Sequence, residues 1–249
     1  MIKAAYHTIK FWIIFILLSV CLGTLAVLAR LFDSSNNLSH NVSRLWGRGL
    51  CVLNGIDVNI EGLEHIRPEQ PQIFIANHQG FFDIFALNGF LPVQLRWVAK
   101  SSLFHIPFVG WAMRAAGSVP VDRGNRKKSY RAFLKTIEKL KAGNSVVIFP
   151  EGTRSADGTI GTFKKGGPLL SVRSGAPLVP VTLVGTGSII KKGSGIIRPG
   201  RIQIVISPPL SSQTVMEDKE ENVLRNLRDI ICRNYESHHE GNNQTLQVG

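Results

Sequence analysis

A histidine and an aspartate, His78 and Asp83, stand five residues apart just after the apolar run 73–76. In one regular helix, residues at this separation point about 140° away from each other, so a helix alone cannot bring them together. A strand ending before residue 77, a turn at Gly80 and a helix beginning near Phe82 would instead fold Asp83 back onto His78. The spacing therefore predicts a strand, turn and helix that pair the two side chains.

A paired His78 and Asp83 would have a specific chemical use. A carboxylate that holds one imidazole nitrogen fixes the tautomer and raises the basicity of the other nitrogen, as a general base for a hydroxyl group requires. A histidine that only caps a helix, with an aspartate in the first turn, would show the same spacing. Neither H-E-x-x-H nor H-x-x-E-H accompanies the pair, so we do not expect a metal site.

A second candidate site follows the apolar run 145–149, where Glu151 precedes Gly152, Thr153 and Arg154. Gly152 permits close backbone approach, Thr153 offers a hydroxyl, and a guanidinium such as that of Arg154 matches two phosphate oxygens. A carboxylate repels phosphate, so we expect Glu151 to bind a substrate hydroxyl or to orient a basic side chain. A solvated turn with surface charges is the alternative interpretation.

Further cations stand where predicted strands end. Lys100 and Arg123 each come just past a strand, at the position where α/β folds usually bind ligands. The basic pair 164–165 precedes the glycine pair 166–167 at a predicted helix start, which adds charge and free backbone amides. Each cation alone is an ordinary surface charge, but together with Arg154 they form a candidate anion pocket.

The amino-acid composition indicates which kinds of molecule the protein could bind. The chain has 249 residues, and 29 basic against 17 acidic residues give a formal net charge of +12. This excess suits an anionic membrane, a phosphorylated substrate, an acidic carrier protein or nucleic acid. No aromatic and basic recognition motif appears, so we do not expect nucleic-acid binding. The three cysteines are widely scattered and form no C-x-x-C pair, which predicts reduced thiols.

Several motifs are missing from the sequence. It contains no G-x-S-x-G nucleophile elbow, no G-x-x-x-x-G-K-[ST] phosphate loop and no G-x-G-x-x-G dinucleotide fingerprint. Covalent serine hydrolysis and nucleotide use therefore lack support in the sequence.

From residue 55 onward, β-rich apolar runs alternate with helical patterns, which predicts an α/β domain with a mixed sheet flanked by helices. The predicted strands are Asp57–Ile60, Ile73–Ala76, Arg96–Ala99, Ser118–Val121, Ser145–Phe149, Leu178–Leu183 and Ile202–Ile206. The clearest helix is Arg126–Lys141, and Glu217–Tyr235 reads as a closing helix. We divide the chain into an N-terminal membrane element (1–54), a catalytic domain (55–235) and a polar tail (236–249) too poor in apolar residues to become ordered.

The N-terminal element contains two lipid-seeking segments. Residues 11–29 carry no charge over 19 positions. As a helix they would extend about 28 Å, close to the thickness of a bilayer's hydrocarbon core. Residues 38–53 show helical spacing of apolar residues, and Trp46 suits either the headgroup level or packing against the soluble domain. Basic residues flank both sides, so the sequence leaves open whether the first helix spans the membrane or re-enters it.

The ordered blocks resemble the glycerolipid acyltransferase family, and most of all its bacterial members. The similarity runs from residue 73 to residue 181 and rests on His78-x-x-x-x-Asp83, the block 117–123, the block 149–154 and the Val-Pro-Val at 179–181. Two apolar or amphipathic helices before the catalytic domain are also similar to family members. Pro120 departs from the pattern, because relatives often carry a bulky aromatic or aliphatic residue there.

The resemblance implies a reaction, its substrates and a location. His78, held by Asp83, would take the proton of the sn-2 hydroxyl of lysophosphatidic acid, which attacks an acyl thioester and yields phosphatidic acid. Arg154, Arg123 and Lys100 would hold the phosphate. The acyl donor would be a thioester of acyl carrier protein or coenzyme A, with no other cofactor. The enzyme would work at the bacterial inner membrane with its catalytic domain in the cytosol.

Two alternatives stay open. One keeps the chemistry and changes the acceptor to glycerol-3-phosphate, a lyso-ornithine lipid or another lysophospholipid. The other is a non-catalytic membrane-binding protein, which predicts that His78→Ala leaves function intact.

Overall fold

The computed structural model describes residues 2–155, 158–191 and 193–245. The strands are β1 Asp57–Glu61, β2 Ile73–Ala76, β3 Leu95–Lys100, β4 Val119–Val121, β5 Ser145–Ile148, β6 Leu178–Val184 and β7 Arg201–Ile206. The α-helices are α1 Ile2–Phe32, α2 Asn37–Val52, α3 Phe82–Phe90, α4 Val109–Ala115, α5 Arg126–Lys141, α6 Gly166–Ser174, α7 Thr186–Ile189, α8 Ser212–Glu217 and α9 Glu220–Thr245. Short 3₁₀ turns lie at Leu63–His65 and Ser101–His105.

The strands form one mixed sheet in the order β1-β7-β6-β2-β5-β3-β4. Among the strands in the described part of the chain, β6 and β7 form the only antiparallel pair. Strand β1 runs parallel to β7, and β6, β2, β5, β3 and β4 run parallel to one another. This confirms the predicted α/β class with a mixed sheet. Because β2, β5, β3 and β4 share a direction, the chain leaves all four at the same edge of the sheet, which is where the candidate residues stand.

Helices cover both faces of the sheet. Along β2, Phe74 and Ala76 join the core under α2 and α3, whereas Ile73 and Ile75 join the core under α5, α6 and α9. This alternation follows from the two-residue side-chain period of a strand. All four β2 residues are buried, as expected for a parallel strand covered on both sides. Pro120 lies exposed in β4, the edge strand, where a missing amide donor costs no ladder hydrogen bond.

The first two helices form a hairpin that packs on the α/β domain. The buried Phe11 of α1 contacts Phe82 and Phe85 of α3, with ring centroids 5.6 and 6.5 Å apart. Trp46 of α2 meets Phe85 edge to face at 4.9 Å, and its indole nitrogen donates to Ser19 Oγ at 3.1 Å. Of the two positions considered for Trp46, the structure therefore shows packing against the domain.

The turn between α1 and α2 rests on a buried arginine, Arg96, near the start of β3. Its Nη2 donates to Asn37 Oδ1 at 2.7 Å and to the Ser35 carbonyl at 3.3 Å, and its side chain is fully buried. Burial lowers the pKa of Arg96 to about 10, which leaves it charged at neutral pH. His40 of α2 adds a second link, because its Nε2 accepts the backbone N–H of Leu95 at 3.1 Å. Both contacts attach the hairpin to the amino end of β3.

The closing helix differs from the prediction at both ends. The chain breaks between α8, which ends at Glu217, and α9, which begins at Glu220, and α9 continues past Tyr235 to Thr245. Residues 236–245 are therefore helical where the composition predicted no order. One anchor is tertiary, since His238 Nε2 lies 3.2 Å from Glu61 Oε2. Residues 246–249 of the predicted tail lie outside the described residues.

Candidate active site

The predicted pairing of His78 and Asp83 is confirmed. His78 Nδ1 lies 2.6 Å from Asp83 Oδ2, and that oxygen also accepts the backbone N–H groups of Gln79 at 2.8 Å and Gly80 at 2.9 Å. Helix α3 begins at Phe82, so Asp83 stands in its first turn, next to the positive end of the helix dipole. The carboxylate thus has three donors on one oxygen, which hold it against the imidazole.

This arrangement decides which histidine nitrogen is available. Asp83 is completely buried and its carboxylate oxygen only accepts, so His78 Nδ1 is the nitrogen that carries the proton. The Nε2 atom of a neutral imidazole then has a free lone pair. The His78 side chain is 16% exposed, so the ring borders solvent while its partner does not. The geometry is that of an oriented general base.

Gly80 is required by a close approach between two loops. A Cβ atom at this position would lie 2.4 Å from the carbonyl oxygen of Thr186, at the start of α7. Asn77 ties the same loop to β6, because its side chain accepts from the Leu183 N–H at 2.7 Å and donates to the Leu183 carbonyl at 2.9 Å. The residues between β2 and α3 are therefore fixed by β6 and the loop after it.

An aromatic ring also packs against the face of the His78 imidazole. Its ring stacks on Phe149 with centroids 4.0 Å apart and planes inclined by 10°, and Trp97 lies beyond Phe149 at 6.0 Å. Phe149 follows β5 and Trp97 belongs to β3, so two neighbouring strands supply this stack. The sequence placed Phe149 in a strand but did not predict that it contacts the histidine.

The Glu151 carboxylate accepts two backbone N–H groups from different loops. Its Oε1 accepts the backbone N–H of His78 at 2.8 Å, and its Oε2 accepts the N–H of Gly161 at 3.0 Å. The Ser155 N–H completes the bracing by donating to the His78 carbonyl at 2.8 Å. We therefore interpret Glu151 as a positioning residue that holds the backbone of His78. The two roles expected from the sequence, binding a substrate hydroxyl and orienting a basic side chain, stay predictions.

Two cations converge beside Gly152. This glycine has a φ of +79°, and a Cβ atom placed on it would lie 2.8 Å from Lys164 Nζ and 3.6 Å from Arg123 Nη1. The Lys164 N–H donates to the Pro150 carbonyl at 3.1 Å, which holds the lysine against this loop. Two positive groups so close to each other repel unless an anion lies between or beside them. The structure thus places Lys164, which the sequence indicated only as an additional positive charge, beside the same glycine as Arg123, a predicted phosphate ligand.

The remaining candidates lie along the same edge. Arg154 is half-buried and Thr153 exposed in the loop after β5. Lys100 is exposed at the end of β3, where it pairs in register with Val121 of β4, just before Arg123. Their common location follows from the parallel strands, and no distance among them was predictable from spacing.

One further titratable group faces this region. Tyr235 of α9 is half-buried, and burial together with the negative charge of Asp83 raises the pKa of its phenol. A Cβ atom on Gly158 would lie 3.8 Å from the Tyr235 hydroxyl and 3.9 Å from Gln79 Oε1. The tyrosine therefore stays protonated behind the loop that carries His78.

Comparisons with known proteins match the part of the chain that carries these residues. The acyltransferase family model matches residues 57–184, which hold every candidate residue of the site. The chain is 38% identical over 183 residues to a chloroplastic 1-acyl-sn-glycerol-3-phosphate acyltransferase of Arabidopsis thaliana, covering 72% of this chain and 51% of the relative. It is 36% identical over 163 residues to the 1-acyl-sn-glycerol-3-phosphate acyltransferase of Pseudomonas aeruginosa, covering 65% of this chain and 62% of that relative.

A solved structure matches almost the whole chain. The crystal structure of the 1-acyl-sn-glycerophosphate (LPA) acyltransferase PlsC from Thermotoga maritima superposes with a TM-score of 0.84 at 29% identity, over 95% of this chain and 96% of that one. By contrast, the chain spans only 51% to 59% of the length of the first three curated relatives. The family model covers six of the seven strands, β1 to β6, together with the His78-x-x-x-x-Asp83 block. The chain belongs to the acyltransferase family, whose members include the 1-acyl-sn-glycerol-3-phosphate acyltransferases.

Proposed function

We propose that the protein transfers an acyl group from a thioester to the sn-2 hydroxyl of 1-acyl-sn-glycerol-3-phosphate, forming phosphatidic acid for phospholipid biosynthesis. The observation that carries the proposal is the buried Asp83 held 2.6 Å from His78 Nδ1, which leaves Nε2 as the accepting nitrogen. The names of the relatives and of the superposed structure support the choice of acceptor. If lysophosphatidic acid is not acylated, other acceptors with a free hydroxyl become the candidates.

The proposed reaction needs one base and no enzyme nucleophile. His78 Nε2 takes the hydroxyl proton while the substrate oxygen attacks the thioester carbonyl, so a carbon–oxygen bond forms. The carbon–sulfur bond then breaks, and the departing sulfur receives the proton from His78. A thioester is already activated toward attack, which removes the need for a covalent acyl-enzyme. Positioned general-base catalysis typically contributes about 10²–10⁴-fold.

The cations beside Gly152 suit the acceptor's phosphate. Arg123 and Lys164 both approach this glycine, whose lack of a side chain leaves the backbone open to a ligand. We assign these two residues the main contacts with the phosphate, with Arg154, Thr153 and Lys100 on the same edge as further ligands. Phosphate binding there would set the distance between the sn-2 hydroxyl and His78, which is how binding energy is used for orientation.

The donor is proposed to be acyl carrier protein or coenzyme A bearing the acyl thioester. Either would reach His78 from the carboxyl edge of the sheet, and neither requires a further cofactor.

We propose that the catalytic domain works on the cytosolic face of the bacterial inner membrane. Helix α1 has 31 residues and is long and apolar enough to cross a membrane by length and composition. Yet one side of it contacts the domain along much of its length, from Thr8, which accepts the Ile197 N–H at 3.1 Å, to Gly23, where an added Cβ atom would lie 3.0 Å from Phe108 Cβ. The opposite side exposes residues such as Ile9, Ile13 and Leu17. This favours a helix lying in one leaflet over one that crosses both.

The decisive experiment is acyl transfer from a labelled long-chain acyl thioester to lysophosphatidic acid, with full-length protein purified in detergent. We expect product from the parent, a fall of at least about 10²-fold for His78→Ala, and a raised KM for the acceptor with Arg123→Ala. His65→Ala, at a histidine away from the site, is the matched control and should keep parental activity.

Two results would change the proposal. If the parent makes no product with either donor, the acceptor assignment fails, and glycerol-3-phosphate, a lyso-ornithine lipid and other lysophospholipids should be tested instead. If His78→Ala retains full activity, the general-base mechanism is wrong.

A further inference from the structure

Helix α5 carries an unusual concentration of positive charge. Of its 16 residues, seven are basic and one, Glu138, is acidic. Within the described residues, Lys128 forms an ion pair with Asp122 at 3.2 Å, whereas no ion pair joins Arg126, Lys127, Arg131 or Lys135 to another residue. These four exposed residues are called the α5 cationic face.

The placement of these charges works against the stability of the helix. Lys127, Arg131 and Lys135 repeat at intervals of four, so like charges are neighbours along one row, which destabilises a helix. Three basic residues also begin α5, whose first turn contains no acidic residue. Cations at this end oppose the helix dipole. A sequence that violates two local rules on one surface points to a use for that surface beyond folding.

The face also carries apolar side chains. Tyr130 and Leu134 form a second row beside the cations and are 61% and 42% exposed. An exposed aromatic residue flanked by arginines is typical of protein interfaces, where tyrosine and arginine are enriched. A surface that served only to attract small ions would have no use for the apolar row.

The α5 cationic face lies next to the candidate active site. Arg123, next to Gly152, precedes the first residue of α5 by three positions, and the cationic row leads away from it by about 6 Å for each step of four residues. The face therefore begins at the edge of the site and extends outward along the helix.

The sheet separates the α5 cationic face from the lipid-seeking hairpin. Leu140, Phe133 and Ile137 of α5 pack in the core on one face of the sheet, whereas Phe11 of α1 belongs to the core on the other. A membrane that met the exposed side of α1 would lie across the sheet from α5. The partner of this face is therefore a soluble anion that approaches the same catalytic edge from the other side.

We infer that the α5 cationic face is the docking surface for an acidic protein that carries the acyl thioester. This rests on the proposed function, since only an acyl transfer gives such a carrier a reason to approach His78. Complementary charge would speed the encounter and orient the carrier's arm toward the site. We therefore infer that acyl carrier protein, rather than coenzyme A, is the acyl donor that binds the α5 cationic face.

The test compares two donors with one pair of charge reversals. Acyl transfer to lysophosphatidic acid in neutral detergent micelles is measured with palmitoyl-acyl carrier protein and with palmitoyl-coenzyme A, using the parent and Arg131→Glu/Lys135→Glu. For this variant, we expect KM for the carrier to rise about tenfold at low salt, with kcat and the coenzyme A reaction little changed. Arg225→Glu/Arg233→Glu on α9 makes the same change in net charge elsewhere and should behave as the parent.

A binding measurement separates docking from turnover. Holo acyl carrier protein is titrated against the His78→Ala protein with and without the α5 reversals, and the reversals should weaken binding by a similar factor. An equal loss of acyl transfer with both donors, or no loss with either, would overturn the inference. So would a defect that is absent in neutral micelles and appears only when the assay is repeated with the acceptor in anionic vesicles. Absence of product from the parent with both donors would instead count against the proposed function.

Discussion

Two histidines of this protein lie at opposite ends of the parallel strands and differ in nearly every property that matters. His78, after β2, has a carboxylate at 2.6 Å and a partly exposed ring. His40, on α2 beside the start of β3, is 1% exposed, and its Nε2 accepts the Leu95 N–H. Burial, and then the positive charges of Arg96 and Arg44, lower the pKa of His40 to about 3. One imidazole is prepared to take a proton, and the other is prevented from doing so.

The difference shows that the partner rather than the residue type decides the role. Asp83 holds the His78 ring by its Nδ1 atom, whereas Arg96 disfavours a protonated His40. Mutations around His78 should therefore affect turnover, and mutations around His40 should affect the free energy of unfolding. The following expectations test this division, beginning with the largest effect.

Asp83→Asn should lower kcat by about 10³-fold, because an amide can donate to Nδ1 and so favour the tautomer whose Nε2 carries the proton. Turnover and thermal unfolding are measured together, and the unfolding midpoint should fall far less than the activity. Asp57→Asn, at an exposed aspartate of β1, is the control. A variant that unfolds while its remaining folded fraction stays active would place Asp83 with the structural residues.

Arg96→Met should lower the free energy of unfolding by about 3 kcal/mol, because Asn37 Oδ1 and the Ser35 carbonyl lose a charged donor. Denaturant unfolding in detergent measures this, and activity per folded molecule should be preserved. Arg201→Met, which removes an exposed arginine, should change stability little. Lost turnover without lost stability would show that the hairpin acts on catalysis instead.

Acid should destabilise the protein through His40. Since its folded pKa of about 3 lies below the unfolded value of 6.5, the unfolded chain binds the proton first. The loss of folding free energy caused by His40 is absent well above pH 6.5 and grows as the pH falls toward 3. It reaches about 2 kcal/mol near pH 5.

The corresponding variant is His40→Gln, whose carbonyl can accept the Leu95 N–H without titrating. Unfolding curves between about pH 7 and about pH 5 should show a shallower loss of stability for this variant than for the parent. Equal slopes for the two proteins would mean that His40 is protonated in the folded state.

Glu151→Gln should have the smallest effect, a fall in kcat of about tenfold, because one side-chain oxygen cannot hold both the His78 and Gly161 amides. Steady-state kinetics should show little change in KM for the acceptor. Glu64→Gln, at an exposed glutamate, is the matched control. A change confined to KM for the acceptor would instead support binding of a substrate hydroxyl, one of the two roles expected for Glu151 from the sequence.

Much of the fold was predictable because local patterns and tertiary structure agree. All seven strands lie where alternation and apolar runs placed them, and α5 has the predicted bounds, Arg126–Lys141. Helix α9 did not follow its composition, since the anchor from His238 to Glu61 joins residues far apart in the sequence. Trp46 was equally ambiguous, because an amphipathic helix shows the same pattern whether it faces lipid or Phe85.

The sequence by itself offered the pairing of His78 with Asp83 as one of two interpretations, because a strand, a tight turn and a helix start allow it over so short a span. The structure decided between them by placing Asp83 against Nδ1. The sequence also determined the fold class and the apolar N-terminal helix, through the periodicity of its residues. Only the tertiary structure decided that Lys164 joins Arg123 beside Gly152, that Glu151 holds the His78 backbone, and that α5 lies across the sheet from the hairpin. These contacts depend on strand order, which brings distant segments to one edge and leaves no trace in local spacing.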